Sequence, residues 1–448
     1  MRSLGLLALV LLGSPRAARA GGEADAAAAV LARHCVRCHG HDGPGEGGFT
    51  SAADLARLAA GDLIVRGDPA ASLLYRRLRA GEMPPRKVAV RPTADEIEAV
   101  RAWIAAGAPP PGAAPAPARI GWAGIDRLIA DDLARLPPEQ RSQARYLSIA
   151  HWRDAGRPAE ELARARRAAA KLVASLTWEA QVPALIAVDA EATVFRVDLH
   201  ALGWPTWLWD EIAARDPFAV RRRGPDAVAA QQATGTQVPC VRIDWLVAAA
   251  SRPPLYHQIL GLPDRLDGLA ARLGIDLDAD LAAGRVVRAG FARSGVSRNN
   301  RLIERHALPG GGYLWRSYDF AGATGPRNLF DHPLGPGGDA DDFAPDGGEL
   351  IFSLPDGMQA YYLVDGAGRR LDRASTAIVL DRSRADAAVE TGVSCMGCHA
   401  EGLIVKADEL RAHVDGNRAA FASRRPGTVE RVLALHPAAD ALAAGFAA

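Results

Sequence analysis

Apolar positions in this chain follow a helical period at the N-terminal end and an alternating one further on. Residues 23–33 are alanine-rich and carry high helix propensity. Asp68 as N-cap and Pro69 as first helical residue predict a helix through Leu73, Leu74 and Leu78. Gly81-Glu82-Met83-Pro84-Pro85 interrupts it. After Pro92, Thr93 and Glu96 form a capping box, and Ile97, Val100, Trp103 and Ile104 then recur on one helical face until Gly107. Residues 109–119 are rich in proline and alanine, which predicts a semi-rigid linker. Beyond it, the pattern predicts helices over 138–155 and 158–175 and a strand over 193–199. Strands over 349–354, 358–364 and from Arg369 are separated by Pro355-Asp356-Gly357 and by Asp365-Gly366-Ala367-Gly368, an antiparallel β-meander. The fold class is therefore multidomain. An all-α domain over 23–108 precedes a larger α+β domain over 120–390, on which a C-terminal segment, 391–448, packs.

The first twenty residues stand outside this scheme. Arg2, the apolar run from Leu4 to Leu12, and alanines at 18 and 20 have the layout of a cleaved export signal. That run is too short to span a bilayer, and no later stretch approaches a membrane span, so the mature chain is expected to lack one. Cleavage after Ala20 removes Arg2, Arg16 and Arg19 and takes the formal charge from +1 to −2. A near-neutral balance argues against a nucleic-acid partner.

Composition changes the picture at the cysteines. Four of the 5 stand in two pairs, Cys35-Val36-Arg37-Cys38-His39 and Cys395-Met396-Gly397-Cys398-His399. In an exported protein, disulfides are the plain expectation, yet a disulfide does not call for a histidine directly after each pair. Two thiols three residues apart reach the two vinyl groups of one haem, and the next histidine reaches the iron. C-x-x-C-H reads as c-type haem attachment, so two covalent haems c are expected. Cys240 is left as a small buried residue.

At the first motif the sixth ligand sets the potential. Met83 sits between a glycine turn and two prolines, where its thioether completes a His/Met pair; the plainer role is core filling. His34 and His41 are rivals by type but lie too close to the motif. Residues 23–108 resemble the small class I cytochrome c domain of the planctomycete type. The likeness rests on Cys35-Val36-Arg37-Cys38-His39-Gly40, Gly67-Asp68-Pro69, Gly81-Glu82-Met83-Pro84-Pro85 and the helix through Trp103. It implies Cys35 and Cys38 as thioether donors, His39 as proximal ligand and Met83 as distal ligand. The remainder resembles large bacterial cytochrome-domain proteins ending in a second haem motif, a likeness that implies no reaction.

At the second motif, Cys395 and Cys398 are the expected thioether donors and His399 the expected iron ligand, with a Cys395–Cys398 disulfide as the alternative. Its sixth ligand is open. Met396 lies inside the attachment loop, Met358 fits a core role, and His257, His306, His332 and His413 are candidates by type. The arginine-rich stretch from Arg293 to His306 reads as a solvated loop or as a site for propionates or peroxide. Trp204, Trp207 and Trp209 read as core or as a partner surface. Three functions follow: a periplasmic di-haem electron carrier with a redox partner protein or small donor, a peroxidase-like di-haem oxidoreductase, and a binding protein.

Overall fold

The computed structural model describes residues 20–41, 43–110, 118–297, 299–439 and 442; the expected export signal and most of the expected linker lie outside them. The chain forms two compact units, one ending at Arg119 and one starting at Ile120. An N-terminal helical unit and a larger α+β unit with an antiparallel meander are present, as the pattern implies.

The first unit contains α1 (Ala20–His34), α2 (Val36–His39), α3 (Leu55–Ala60), α4 (Leu73–Arg79) and α5 (Ala94–Ala105). Ala24, Ala27 and Leu31 form a buried stripe on α1 at helical spacing. Their small side chains let it close on α5, which contributes Val100, Trp103 and Ile104 to the same core. Trp103 is fully buried and donates from its indole to the Pro109 carbonyl at 2.8 Å. Thr93 and Glu96 form the expected capping box, and Gly107 turns the chain at φ +92°. One helix start differs from expectation. Asp68 caps only a turn, through Ala71 N–H at 3.0 Å, and α4 begins after Ser72. The Ser72 hydroxyl bonds back to Val65 and Asp68, which ties residues 68–72 to the preceding loop instead of the helix.

The second unit opens with α6 (Gly121–Arg135) and α7 (Pro138–Arg141), then β1 (Ala144–Ser148) and α8 (Ala150–Asp154). The continuous helix expected over 138–155 is thus broken by a strand. β1 is buried at every position and lies between β3 (Val194–Asp198) and the parallel β4 (Cys240–Arg242), with the short β2 (Ile186–Ala187) at the edge. A strand buried on both faces shows no alternation and reads like a helical run. Cys240 is buried here and its thiol is pushed up to about 12 by that burial, as suits a packing residue. Around this sheet stand α9 (Ala159–Ala174), α10 (Thr206–Arg215), α11 (Pro225–Thr234) and α12 (Ile243–Ala250). Trp204 and Trp209 are buried in the core and donate to the carbonyls of Leu176 and Val238; Trp207 is exposed. Two of the three tryptophans are therefore packing residues.

Three helices, α13 (Leu255–Ile259), α14 (Leu266–Leu273) and α15 (Leu277–Ala282), lead into a six-stranded antiparallel meander. Its strands are β5 (Val287–Phe291), β6 (Arg301–Ala307), β7 (Tyr313–Asp319), β8 (Gly347–Ser353), β9 (Gln359–Asp365) and β10 (Arg370–Leu371). Alternation assigns its two faces. Leu314, Leu350, Phe352, Ala360 and Tyr362 point to a core shared with α12, α13 and α14. Leu302 and Tyr318 continue that face against α17 (Leu410–Gly416), α18 (Arg418–Arg424) and α19 (Thr428–Leu435). The opposite face carries Arg301, Ile303, Trp315, Ser317, Glu349, Ile351 and Tyr361, and over it lies α16 (Val393–Cys398). The segment expected to be an arginine-rich loop is in its second half β6. Its charges are compatible with a strand because Arg301 finds Asp319 on the adjacent β7 and Glu349 on β8, one strand further.

Candidate functional site

In the first unit, α1 ends at His34 and the chain turns directly into α2, so Cys35, Cys38 and His39 come together over one helical turn. Cys35 N–H donates to Leu31 and His39 N–H to the Cys35 carbonyl, both at 2.9 Å. Gly40 follows because a Cβ there would stand 2.5 Å from the Val36 carbonyl oxygen. The His39 Nδ1 lies 3.3 Å from the Phe49 carbonyl oxygen. A carbonyl only accepts, so Nδ1 carries the proton and Nε2 keeps the lone pair a metal needs. Burial, and then Cys38, push the Cys35 thiol up to about 11, so it is a neutral thiol and not a thiolate nucleophile. Met83 is half-buried, with its backbone turned by Gly81 (φ +67°) and its N–H donating to Arg77. His34 is engaged elsewhere: its Nε2 faces Glu96 at 3.2 Å, beside the capping box of α5. His41 is exposed.

The second motif is built differently. Gly392, at φ +82°, seats α16 against the second unit, where a Cβ would lie 2.4 Å from the Ser251 carbonyl oxygen and 3.2 Å from the Tyr256 ring. Cys395 is thereby packed against the main core, while Cys398 is exposed. Burial raises both thiols, with Glu349 contributing to each. The His399 Nδ1 lies 3.1 Å from the Gly402 carbonyl oxygen, which again leaves Nε2 its lone pair. Its ring is roughly parallel to that of Tyr361, at 6.2 Å between centroids.

Cys395, Cys398 and His399 open onto a cleft of about 1010 Å³, part of it open to solvent. Its walls are mainly apolar: Ile303, Trp315, Ile351 and Tyr361 from the sheet, Val389 and Leu403 from the covering segments. One end is polar. Arg301, 7% exposed, binds Asp319 through Nε and Glu349 through Nη1 at 3.0 Å, and its Nη2 has no hydrogen-bond partner among the described residues. Ser317 donates to Asp319 at 2.7 Å. Burial pushes the Asp319 carboxyl above its usual range against the pull of Arg301. A large apolar slot, two thiols on one edge, a histidine with a free Nε2 and an unpartnered buried guanidinium nitrogen suit a haem. The macrocycle would take the slot and the guanidinium nitrogen is available to a propionate.

The cleft does not gather the other sequence candidates. Met358 and Met396 pack against the main core. His257 is buried beside Asp372, at 3.3 Å, and burial drops it to about 4. Both ring nitrogens of His306 face carboxylates, Asp280 at 3.1 Å and Glu304 at 3.0 Å. His332 and His413 bond the carbonyls of Asp341 and Phe330, both at 3.0 Å. None of these four histidines lines the cleft, so none is its distal ligand as arranged here. Sequence reasoning had Arg301 within the arginine-rich stretch offered to propionates, but missed its partners Asp319 and Glu349, and missed Lys406, which lines the cleft. The alternation Arg301-x-Ile303 and Trp315-x-Ser317-x-Asp319 was the available signal.

Residues 35–87 match the family described as Planctomycete cytochrome C. The match takes in the first CxxCH, α3, α4 and Met83 and stops well short of the second motif. The N-terminal unit is a cytochrome c domain of that type, and the chain is accordingly a haem-binding protein of electron transfer with covalently attached haem c. No curated protein and no solved structure matched the chain.

Proposed function

We propose that this chain is an exported di-haem c-type cytochrome that passes electrons between a redox partner and a second haem in the larger unit. In the first unit, Cys35 and Cys38 supply the thioethers, His39 the proximal nitrogen and Met83 the distal sulfur, a pair that raises the reduction potential. In the second, Cys395 and Cys398 hold haem on the edge of the sheet cleft and His399 binds its iron. The observation that carries this reading is the His399 imidazole. It lines a mainly apolar cleft of about 1010 Å³, part of it open to solvent, with Nδ1 committed to a carbonyl and Nε2 free. Export, by way of the first twenty residues, fits the oxidising compartment in which c-type haem is attached. Among the described residues no helix is long and apolar enough to cross a membrane.

A second reading follows from the cleft having no histidine or methionine besides His399 on its walls. If that iron is open, the chain is an oxidoreductase of peroxidase-like type, fed through the first haem. The polar end at Arg301 and Glu349 would then face the bound substrate. The experiment is a covalent haem count on protein made with a cytochrome c maturation system. Two haems per chain are expected, falling to one in Cys395→Ala/Cys398→Ala with the spectrum of the first haem unchanged. A count of one in the unaltered chain would remove the second site.

A further inference from the structure

Residues 402–408 run as a strap over the cleft. At one end the Gly402 carbonyl holds His399, whose ring lies beside Tyr361 of β9. At the other end the chain is tied to β5. Gly290 N–H donates to the Asp408 carboxylate at 2.8 Å, Glu409 N–H donates to the Gly290 carbonyl at 2.8 Å, and Ala292 N–H donates to the Glu409 carboxylate at 2.9 Å. Strands β9 and β5 are four positions apart in the sheet, a span of about 19 Å at ordinary strand spacing. The six residue steps from Gly402 to Asp408 reach about 20 Å when extended. The strap therefore runs from the loop that holds His399 to β5, with Leu403, Ile404 and Lys406 lining the cleft on the way.

Val405 is 64% exposed and Ile404, at the rim of the cleft, 52%, whereas Leu403 and Lys406 are half-buried along its wall. Lys406 stands two residues before the β5 anchor and lines the same cleft as His399. It is half-buried and forms no hydrogen bond or ion pair with the described residues. The chain strongly favours arginine: of 53 lysines and arginines, only Lys87, Lys171 and Lys406 are lysine. The distinction matters here, because a guanidinium has no lone pair to give a metal and stays protonated, whereas an amine can shed its proton and bind. Of the wall groups with a lone pair to offer, Glu349 is bound to Arg301, Ser317 to Asp319 and the Tyr361 hydroxyl to Gln359 at 3.1 Å, while the guanidiniums of Arg301 and Arg316 have none to give.

We infer that Lys406 is the distal ligand of the second haem, which makes that iron six-coordinate with His399 and Lys406 nitrogens. The inference rests on the second haem proposed above. On ligation the ammonium releases one proton to solvent and the Nζ lone pair forms the bond to iron; no electron changes hands. The second site is then a conductor, not an open catalytic centre, and the carrier reading gains over the peroxidase-like one.

The test uses the full chain with its haems attached, counted first and then examined in the ferric state by electron paramagnetic resonance and near-infrared magnetic circular dichroism. The unaltered protein should show two low-spin haems, one of them with an amine–imidazole signature. In Lys406→Ala, about half of the total haem should become high-spin and bind added cyanide at once, with the haem count still two. Lys406→Arg keeps the long stem and the charge and should behave like Lys406→Ala. Added imidazole should return both variants to low spin. Two haems with one already high-spin in the unaltered chain would overturn the assignment, as would a Lys406→Arg spectrum identical to the unaltered one. A count of one would instead overturn the second haem itself, a failure read from the count and not from the spin state.

Discussion

The two units carry the same five-residue chemistry on unlike supports. In the N-terminal unit the motif is the continuation of one helix, and its surroundings come from within about seventy residues: α1, α5, and the loop that offers the Phe49 carbonyl to His39. In the larger unit the motif is a short helix laid on a finished sheet, and the Gly402 carbonyl, three residues on, orients His399. The shared part is therefore local: two thiols, a histidine and a carbonyl that fixes its tautomer. What differs is the distal side. A loop methionine is available in the first unit, while the second brings a strap across a sheet. An attachment motif thus travels easily between folds, and the scaffold decides what the iron can do afterwards.

The sharpest way to break this comparison is at the first distal ligand. Met83→Ala should turn about half of the total haem high-spin and lower the potential of that haem, read by ferric spectra and redox titration, with the second haem unmoved. A spectrum unchanged by the substitution would return Met83 to a packing role and leave the first unit without its stated contrast to the second.

The next test asks what holds the sheet that supports the second site. Behind it, Glu304 is fully enclosed and accepts from Arg288 at 2.7 Å and Tyr318 at 2.8 Å, beside His306. Burial pushes its carboxyl up, but Arg288, His306 and Tyr318 together bring it down to about 2. A carboxyl near 4.3 in the unfolded chain and lower in the folded one stabilises the fold above that value and loses the contribution as pH falls toward 2. Glu304→Gln leaves Arg288 buried without its charge partner and should cost about 3–5 kcal/mol in the larger unit at pH 7. Denaturation followed by circular dichroism should show that loss, together with a flatter acid limb. The smallest effect belongs to the first unit. Thr93→Ala removes one half of the capping box and should cost about 1 kcal/mol, lowering only the N-terminal transition in calorimetry.

The first unit was largely legible because its determinants are local. The capping box, the stripe of Val100, Trp103 and Ile104, and the CxxCH motif each declare themselves within a few residues. The start of α4 was misplaced by one turn, since Ser72 bonds backwards to Val65, a choice that Asp68-Pro69 does not reveal. In the second unit the late strands were readable from their alternation and turn residues. β1 was not, because Arg145-Tyr146-Leu147-Ser148 is buried on both faces and shows no period. β6 looked like a charged loop, since the partners that neutralise Arg301 lie 18 and 48 residues further on. The cleft was invisible for the same reason: its walls come from strands that meet only in the folded sheet.

The strap also sets an order of events in time. Asp408 is tied to Gly290 across 118 residues of sequence, and the chain then passes around β5 so that Leu410 and Val414 join the core on the far face of the sheet. Synthesis runs from the N-terminus, so the first motif and all five helices around it exist while the meander is still unmade. On the two-haem reading proposed above, a chain exported N-terminus first would present Cys35 and Cys38 for attachment before the second slot has a floor. The second slot cannot close until residue 409 has reached β5, which leaves an interval in which Cys395 and Cys398 are present and the lid is not. A maturation apparatus that needs an unfolded CxxCH would find the second motif in that interval and lose access once the strap had docked.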